Sequence, residues 1–207
     1  SYYAAPKVVS VNLQGEETVL AAPGMHIANS VVTDVRYGAS NVVLARGGCL
    51  YFVATEGYGS QLYRMEASGR MERLTHGEGM VDGFDVCGNL IVFSGLRDMR
   101  LSELYRLDGG SEVPLTTLNG DVRAPMPEDI HFTNSEGVEV YGLVRRPEVP
   151  QEKKCPGVLV IHGGPNGAFG HVFHHEMQTL CDLGYYVFCC NPTGSDGRGE
   201  AFGDVSG

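Results

Sequence analysis

His162-Gly163-Gly164-Pro165 follows directly on an apolar run, Val158-Leu159-Val160-Ile161, and is the stretch best suited to chemistry. A strand that runs into adjacent glycines brings bare backbone N–H groups into the open at a sheet edge. Acyl-transfer enzymes use such donors to hold the oxygen of a tetrahedral intermediate as it gains charge. A sharp turn with no chemistry is the plain alternative, since Gly-Pro is common punctuation. Position favours the chemical reading, because α/β sheets gather their ligands at the C-terminal ends of parallel strands. His162 reads better as a hydrogen-bonded residue that shapes the turn than as a catalytic base.

A second loop, Asn191-Pro192-Thr193-Gly194-Ser195-Asp196-Gly197-Arg198-Gly199, ends the apolar run Tyr185–Cys190. It lacks the Gly-Lys-Ser/Thr ending of a phosphate cradle, so it is expected to wall the same crevice as Gly164. His162, Pro165, Asn191 and Ser195 are therefore the candidate substrate-binding residues. Ser195 lies between Gly194 and Asp196 rather than in an elbow, so it is not read as a nucleophile. No Gly-x-Ser-x-Gly elbow occurs in the 207 residues, and the sequence is expected to hold half of an active site. His171, His174, His175 and Glu176 cluster at helical spacing without the His-Glu-x-x-His order of a zinc site. They are expected to face solvent or a domain boundary, and no metal or organic cofactor is implied.

These loops must be positioned by sheets of two kinds. In the first 120 residues, Leu50-Tyr51-Phe52 returns as Ile91-Val92-Phe93. Gln61-Leu62-Tyr63-Arg64 returns as Glu103-Leu104-Tyr105-Arg106, and Leu74-Thr75 as Leu115-Thr116. The shift is 41 or 42 residues each time, and a weaker copy lies in Val8–Val11, Gly15 and Val19-Leu20. A period near 40 carried by short alternating strands predicts four-stranded antiparallel blades of a partial β-propeller, over residues 1–122. A β-sandwich with accidental similarity is the competing architecture.

After the prolines at 125 and 127 the pattern changes. Residues 130–133 and 138–144 flank Asn134-Ser135-Glu136-Gly137 and predict a β-hairpin. The continuous apolar run 157–161 predicts a strand covered on both faces. Phe173, Met177, Leu180 and Cys181 share one stripe of a helix at about 171–183, which Gly184 caps. A second buried strand, 185–190, would follow in parallel and would leave an open apolar edge. Residues 123–207 thus read as the start of an α/β sheet, giving a mixed fold overall.

Composition excludes several classes of function. The formal net charge of −10 argues against nucleic acid and anionic membranes as partners. No apolar run is long enough to span a bilayer. The six cysteines show no Cys-x-x-Cys spacing and read as free thiols, which fits a reducing cytoplasm.

One combination of motifs resembles the prolyl oligopeptidase family of serine peptidases, most closely its acylaminoacyl-peptidase and dipeptidyl-peptidase-like branches. It comprises residues 127–132, Glu136-Gly137, Gly142, Pro147, His162-Gly163-Gly164-Pro165, Leu183-Gly184-Tyr185, Asn191-Pro192 and Gly194-Ser195-x-Gly197-x-Gly199-x-x-Phe202. The family usually has arginine where Thr193 stands and tyrosine where Arg198 stands. The resemblance implies a propeller followed by an α/β-hydrolase domain, here truncated before the nucleophile elbow. It implies cleavage of short peptides or N-terminal (acyl)aminoacyl bonds through an acyl-serine intermediate, with Gly164 donating to the oxyanion and Gly163 shaping the approach. Serine, aspartate and histidine of the triad would all lie beyond Gly207, so the 207-residue chain is expected to be inactive alone. Its expected partners are a short peptide or acyl-peptide substrate and the remainder of its own chain, and a homo-oligomer is compatible with it. An esterase or lipase, and a non-catalytic propeller that binds peptides, are the alternatives.

Overall fold

The computed structural model describes residues 7–21, 24–36, 43–148, 154–164 and 166–205. Pro165 lies outside the described residues. The chain begins with an antiparallel hairpin, β1 (Val8–Val11) and β2 (Glu17–Ala21). Two antiparallel meanders of four strands follow. The first is β3 (Val43–Arg46), β4 (Cys49–Glu56), β5 (Gly59–Glu66) and β6 (Met71–Arg73). The second is β7 (Gly79–Cys87), β8 (Leu90–Arg97), β9 (Glu103–Asp108) and β10 (Ser111–Pro114). One parallel pair, Ser60 with Met80, joins them into an eight-stranded sheet.

The repeated residues make repeated contacts. Phe52 pairs with Tyr63 across β4 and β5, the rings stacked at 5.6 Å. Phe93 pairs with Tyr105 across β8 and β9, stacked at 5.1 Å. Such cross-strand aromatic pairs fix register, because a slip of one residue would turn each ring to the opposite face. The Thr75 hydroxyl accepts the Leu62 N–H at 2.9 Å, and the Thr116 hydroxyl accepts the Leu104 N–H at 2.9 Å. Each threonine then donates to the residue before that leucine, Gln61 at 2.7 Å and Glu103 at 2.5 Å. A sequence period has become a hydrogen-bonding period.

The second sheet holds four strands in the order β11-β12-β14-β13. Strands β11 (Glu128–Thr133) and β12 (Glu139–Arg145) form the expected hairpin, with Gly137 at φ 79° in its turn. Strand β13 (Gly157–Val160) runs parallel to β14 (Tyr186–Asn191), with helix α1 (His175–Asp182) between them in sequence. A single helical turn, α2 (Glu200–Gly203), follows the glycine-rich loop. Met177 and Cys181 of α1 pack with Leu143, Val187 and Cys189 in the core between helix and sheet.

Three expectations need correction. Strand β14 is interior, paired antiparallel to β12 and parallel to β13, so β13 is the edge strand among the described residues. The run 157–161 is not covered on both faces: Val160 packs toward α1, whereas Leu159 and Ile161 are 57% and 78% exposed. The helix starts at His175 rather than near 171. The His171 N–H is bonded to the Tyr58 carbonyl at 2.8 Å, which holds that segment out of helical geometry. Its C-terminal end matches the expectation, with Gly184 at φ 92° just past the cap.

The two sheets meet at the tips of the meanders. Tyr58, in the β4–β5 turn, reaches the hairpin through its hydroxyl, which donates to the Gly142 carbonyl at 3.3 Å. The equivalent β8–β9 tip places Asp98 and Met99 at φ 52° and 58°, unusual for residues other than glycine. Met99 is fully buried there beside Val172 and Phe173, and its carbonyl accepts the Ala124 N–H at 3.0 Å. Burial of a large apolar side chain, ~2 kcal/mol, offsets the backbone cost, which is ~1–3 kcal/mol per residue.

Candidate active site

Beyond β13 the chain turns sharply through residues 162–167. His162 Nδ1 lies 2.8 Å from the Gly163 carbonyl oxygen and its Nε2 lies 3.1 Å from the Ser195 hydroxyl. A carbonyl oxygen only accepts, so Nδ1 carries the proton and a neutral ring accepts the serine proton at Nε2. The imidazole therefore ties the Gly163-Gly164 turn to the glycine-rich loop, its ring edge-on to Phe169 at 5.0 Å. Gly167 closes the turn on itself, because a Cβ there would come within 2.5 Å of the Gly163 oxygen. Asn166 takes φ 62°, a conformation that asparagine tolerates better than most residues.

Gly163 and Gly164 are exposed, and a Cβ added at either would meet nothing within 4 Å. Among the described residues, neither N–H donates to a backbone carbonyl. Space for an acyl group thus lies beside both amides.

Asn191 and Ser195 are in the same neighbourhood but face inward. Asn191 is 3% exposed, and its side chain accepts the Phe169 N–H at 2.7 Å and donates to the Phe169 carbonyl at 2.9 Å. That pair of bonds copies a strand pairing and holds the exit of the turn against the end of β14. Ser195 is 1% exposed and meets His162. Next to it Asp196 is buried too; desolvation pushes its carboxyl up, against the Ser30 hydroxyl at 2.6 Å and the Gly197 N–H at 2.8 Å. Arg198, at the place where the family carries tyrosine, lies over the rings of Tyr141 and Phe202, 4.1 Å from each centroid. Its guanidinium also donates to the Glu139 carbonyl.

The three clustered histidines separate. His171 Nδ1 is 2.8 Å from Glu78 and its Nε2 2.7 Å from Asp129, so it bridges the two sheets. It borders a cleft of about 270 Å³ that Glu56, Tyr58, Arg73 and Glu78 also line. His174 is buried, against the expectation that these side chains face outward; burial lowers its pKa, against the nearby Asp34 carboxylate. His175 is exposed. Among the described residues no group of His, Cys, Asp and Glu is arranged to hold a metal ion. All six cysteines are free, and burial pushes the Cys189 thiol up to about 12. Among the described residues no helix is long and apolar enough to cross a membrane.

Sequence reasoning missed Ser30, Asp34, Glu78 and Asp129. Each acts on residues 40 to 170 positions away, and no local pattern marks such a pairing.

No family model matches the chain. It is 29% identical over 189 residues to the uncharacterized peptidase YuxL of Bacillus subtilis, which covers 86% of this chain and 29% of that protein. Human dipeptidyl peptidase 8 is 37% identical over 82 residues, covering 37% of this chain and 9% of that protein. The solved structure of Pyrococcus horikoshii acylaminoacyl peptidase superposes on 97% of this chain and 30% of its own, at 28% identity and a TM-score of 0.77. A puromycin-hydrolyzing peptidase of Mycobacterium tuberculosis shares the fold, with a TM-score of 0.69 at 20% identity. The chain thus spans about 30% of the length of the relatives that it matches along most of its own.

The relatives and structural neighbours define a class, peptide-hydrolysing enzymes of one fold. Within that class the resemblance read from the motifs holds: the chain belongs to the prolyl oligopeptidase family.

Proposed function

We propose that this chain is the portion of a serine peptidase that supplies the oxyanion turn, and that the whole enzyme cleaves short peptides or N-terminal (acyl)aminoacyl bonds. The observation that carries this is the exposed Gly163-Gly164 pair at the end of a parallel strand, with open space beside it and no backbone acceptor for either N–H among the described residues. The Gly164 N–H would donate to the oxyanion, Gly163 would leave room for the acyl group, and His162, Pro165, Asn191 and Ser195 would shape the wall beside them. One such donor is worth on the order of 10²–10³ in turnover.

The two meanders, residues 43–114, act as blades that screen the site, and their matched Phe–Tyr pairs and threonine bonds support that reading. Residues 123–207 act as the first strands of an α/β-hydrolase sheet. The sequence has no Gly-x-Ser-x-Gly, so the serine that attacks the carbonyl, and the histidine and aspartate that serve it, come from outside these residues. A reducing cytoplasm suits the six free thiols.

The test is hydrolysis of aminoacyl and N-acyl-aminoacyl p-nitroanilides, with p-nitrophenyl esters alongside. The full-length protein should turn over the anilides, and residues 1–207 alone should not exceed a buffer blank. Robust turnover by 1–207 after repurification would overturn the assignment of roles, and a full-length protein active only on esters would make it an esterase.

A further inference from the structure

Residues 29–36 form no helix or strand of their own, yet they touch every part of the candidate site. One side of this segment is fixed to the eight-stranded sheet. The Ser30 N–H donates to the Thr55 hydroxyl at 2.9 Å, and the Asn29 side chain donates to the Val81 carbonyl at 3.0 Å. Arg36 pairs with Asp82 at 2.5 Å and also holds the Asn29 carbonyl.

The other side grips the loops. The Ser30 carbonyl accepts the Ala168 N–H at 3.0 Å and the Val32 N–H returns a bond to the Ala168 carbonyl at 2.8 Å. The Ser30 hydroxyl donates to Asp196, and the Thr33 hydroxyl donates to the Phe173 carbonyl at 2.6 Å. Asp34 then accepts the first two N–H groups of α1, from His175 and Glu176, at 2.7 Å each. The helix has no side-chain cap of its own, because His174 stands at the cap position. A carboxylate from 140 residues upstream does that work, and its negative charge also suits the positive end of the helix.

We infer that Ser30 and Asp34 are positioning residues for the oxyanion turn, setting the separation of the Gly163-Gly164 turn from the Ser195-Asp196 loop and holding both in register with the eight-stranded sheet. This rests on the peptidase reading of the site. Ser30 is the one residue bonded to both loops: its carbonyl fixes the exit of the turn at Ala168, which is fully buried, and its hydroxyl fixes the buried Asp196. Asp34 fixes the helix that leaves the turn. Neither residue touches the acyl group, so removing either should change the orientation of the amides and not the binding of substrate.

The experiment is steady-state kinetics of the full-length protein on an N-acyl-aminoacyl p-nitroanilide, with hydrogen exchange on the same samples. Ser30→Ala and Asp34→Ala should each lower kcat about tenfold with KM within about twofold, since displacement by a fraction of an ångström costs rate and not binding. Ser30→Thr, which keeps the hydroxyl, should restore kcat, which a purely structural role would not require. Exchange should quicken at Ala168 and Ser195 together in Ser30→Ala. Asp196→Asn keeps an acceptor for Ser30 and serves as the milder variant if Ser30→Ala does not fold. Its kcat should fall less than that of Ser30→Ala. If the wild-type protein hydrolyses no anilide, the peptidase reading fails. If it is active while the variants keep wild-type kcat, or lose only KM, the positioning role fails alone.

Discussion

His171 and Asp129 join the two sheets, with the imidazole Nε2 2.7 Å from the carboxylate, while Glu78 takes the other ring nitrogen at 2.8 Å. The ring also stacks on Tyr58 at 4.7 Å, so one side chain binds the β4–β5 tip, the loop before β7 and the hairpin strand β11. Removing it leaves two carboxylates facing a gap. His171→Ala should destabilise the protein by ~1–2 kcal/mol, from lost hydrogen bonds and stacking. The loss should shrink in 1 M salt, where the repulsion left between Glu78 and Asp129 is screened. Urea denaturation at low and high salt measures both, and a loss that does not vary with salt would contradict the bridge.

Acid should weaken the fold in two separate windows. Burial lowers the His174 pKa below 6.5, so the unfolded chain takes up this proton first and stability falls as the pH drops through 6.5. The slope is at most ~1.4 kcal/mol per pH unit. Asp34 behaves differently: burial works to raise its pKa, but the N–H groups of Glu176 and His175 and the nearby His174 bring it below 3.8. Its contribution is complete above 3.8 and disappears as the pH falls through the lower folded value. His174→Gln should flatten the first window, and Asp34→Asn the second. Denaturation midpoints taken across the pH range would show otherwise if either slope survived its substitution.

Two glycines seven positions or fewer apart should respond in opposite ways to alanine. At Gly170 a Cβ would overlap the Tyr58 carbonyl oxygen, which is backbone and cannot swing away. Gly170→Ala should cost ~2–4 kcal/mol or prevent the sheets from joining. At Gly164 a Cβ meets nothing, so Gly164→Ala should melt within ~0.5 kcal/mol of wild type. If the oxyanion reading is right, the methyl at Gly164 will still lower kcat of the full-length protein. Calorimetry and kinetics on both variants separate packing from chemistry.

Much of this architecture is legible in short stretches of sequence. The hairpin 128–145 announces itself by its apolar strands and its Asn-Ser-Glu-Gly turn, and the meanders by the recurrence of Phe52 and Tyr63 as Phe93 and Tyr105. The strand 157–160 and the turn after it follow from composition alone. Pairing order does not, since Val158 and Val187 have the same hydropathy whether their strand lies inside or at the edge. The start of α1 was misplaced because the stripe through Phe173 continues upstream, while the cap that decides the matter, Asp34, belongs to a distant segment. The same limit hides Ser30: a serine among small and β-branched residues carries no sign that its hydroxyl meets Asp196.

The lone Ser60–Met80 pairing gives the eight strands a perforation line. Elsewhere adjacent strands share ladders of bonds, so each meander breathes as a unit, whereas the seam rests on packed side chains such as Met80. Thermal opening there is hinge-like, parting one meander from its neighbour without fraying either, at the very place where Ser30 and Asn29 are stitched across β4 and β7.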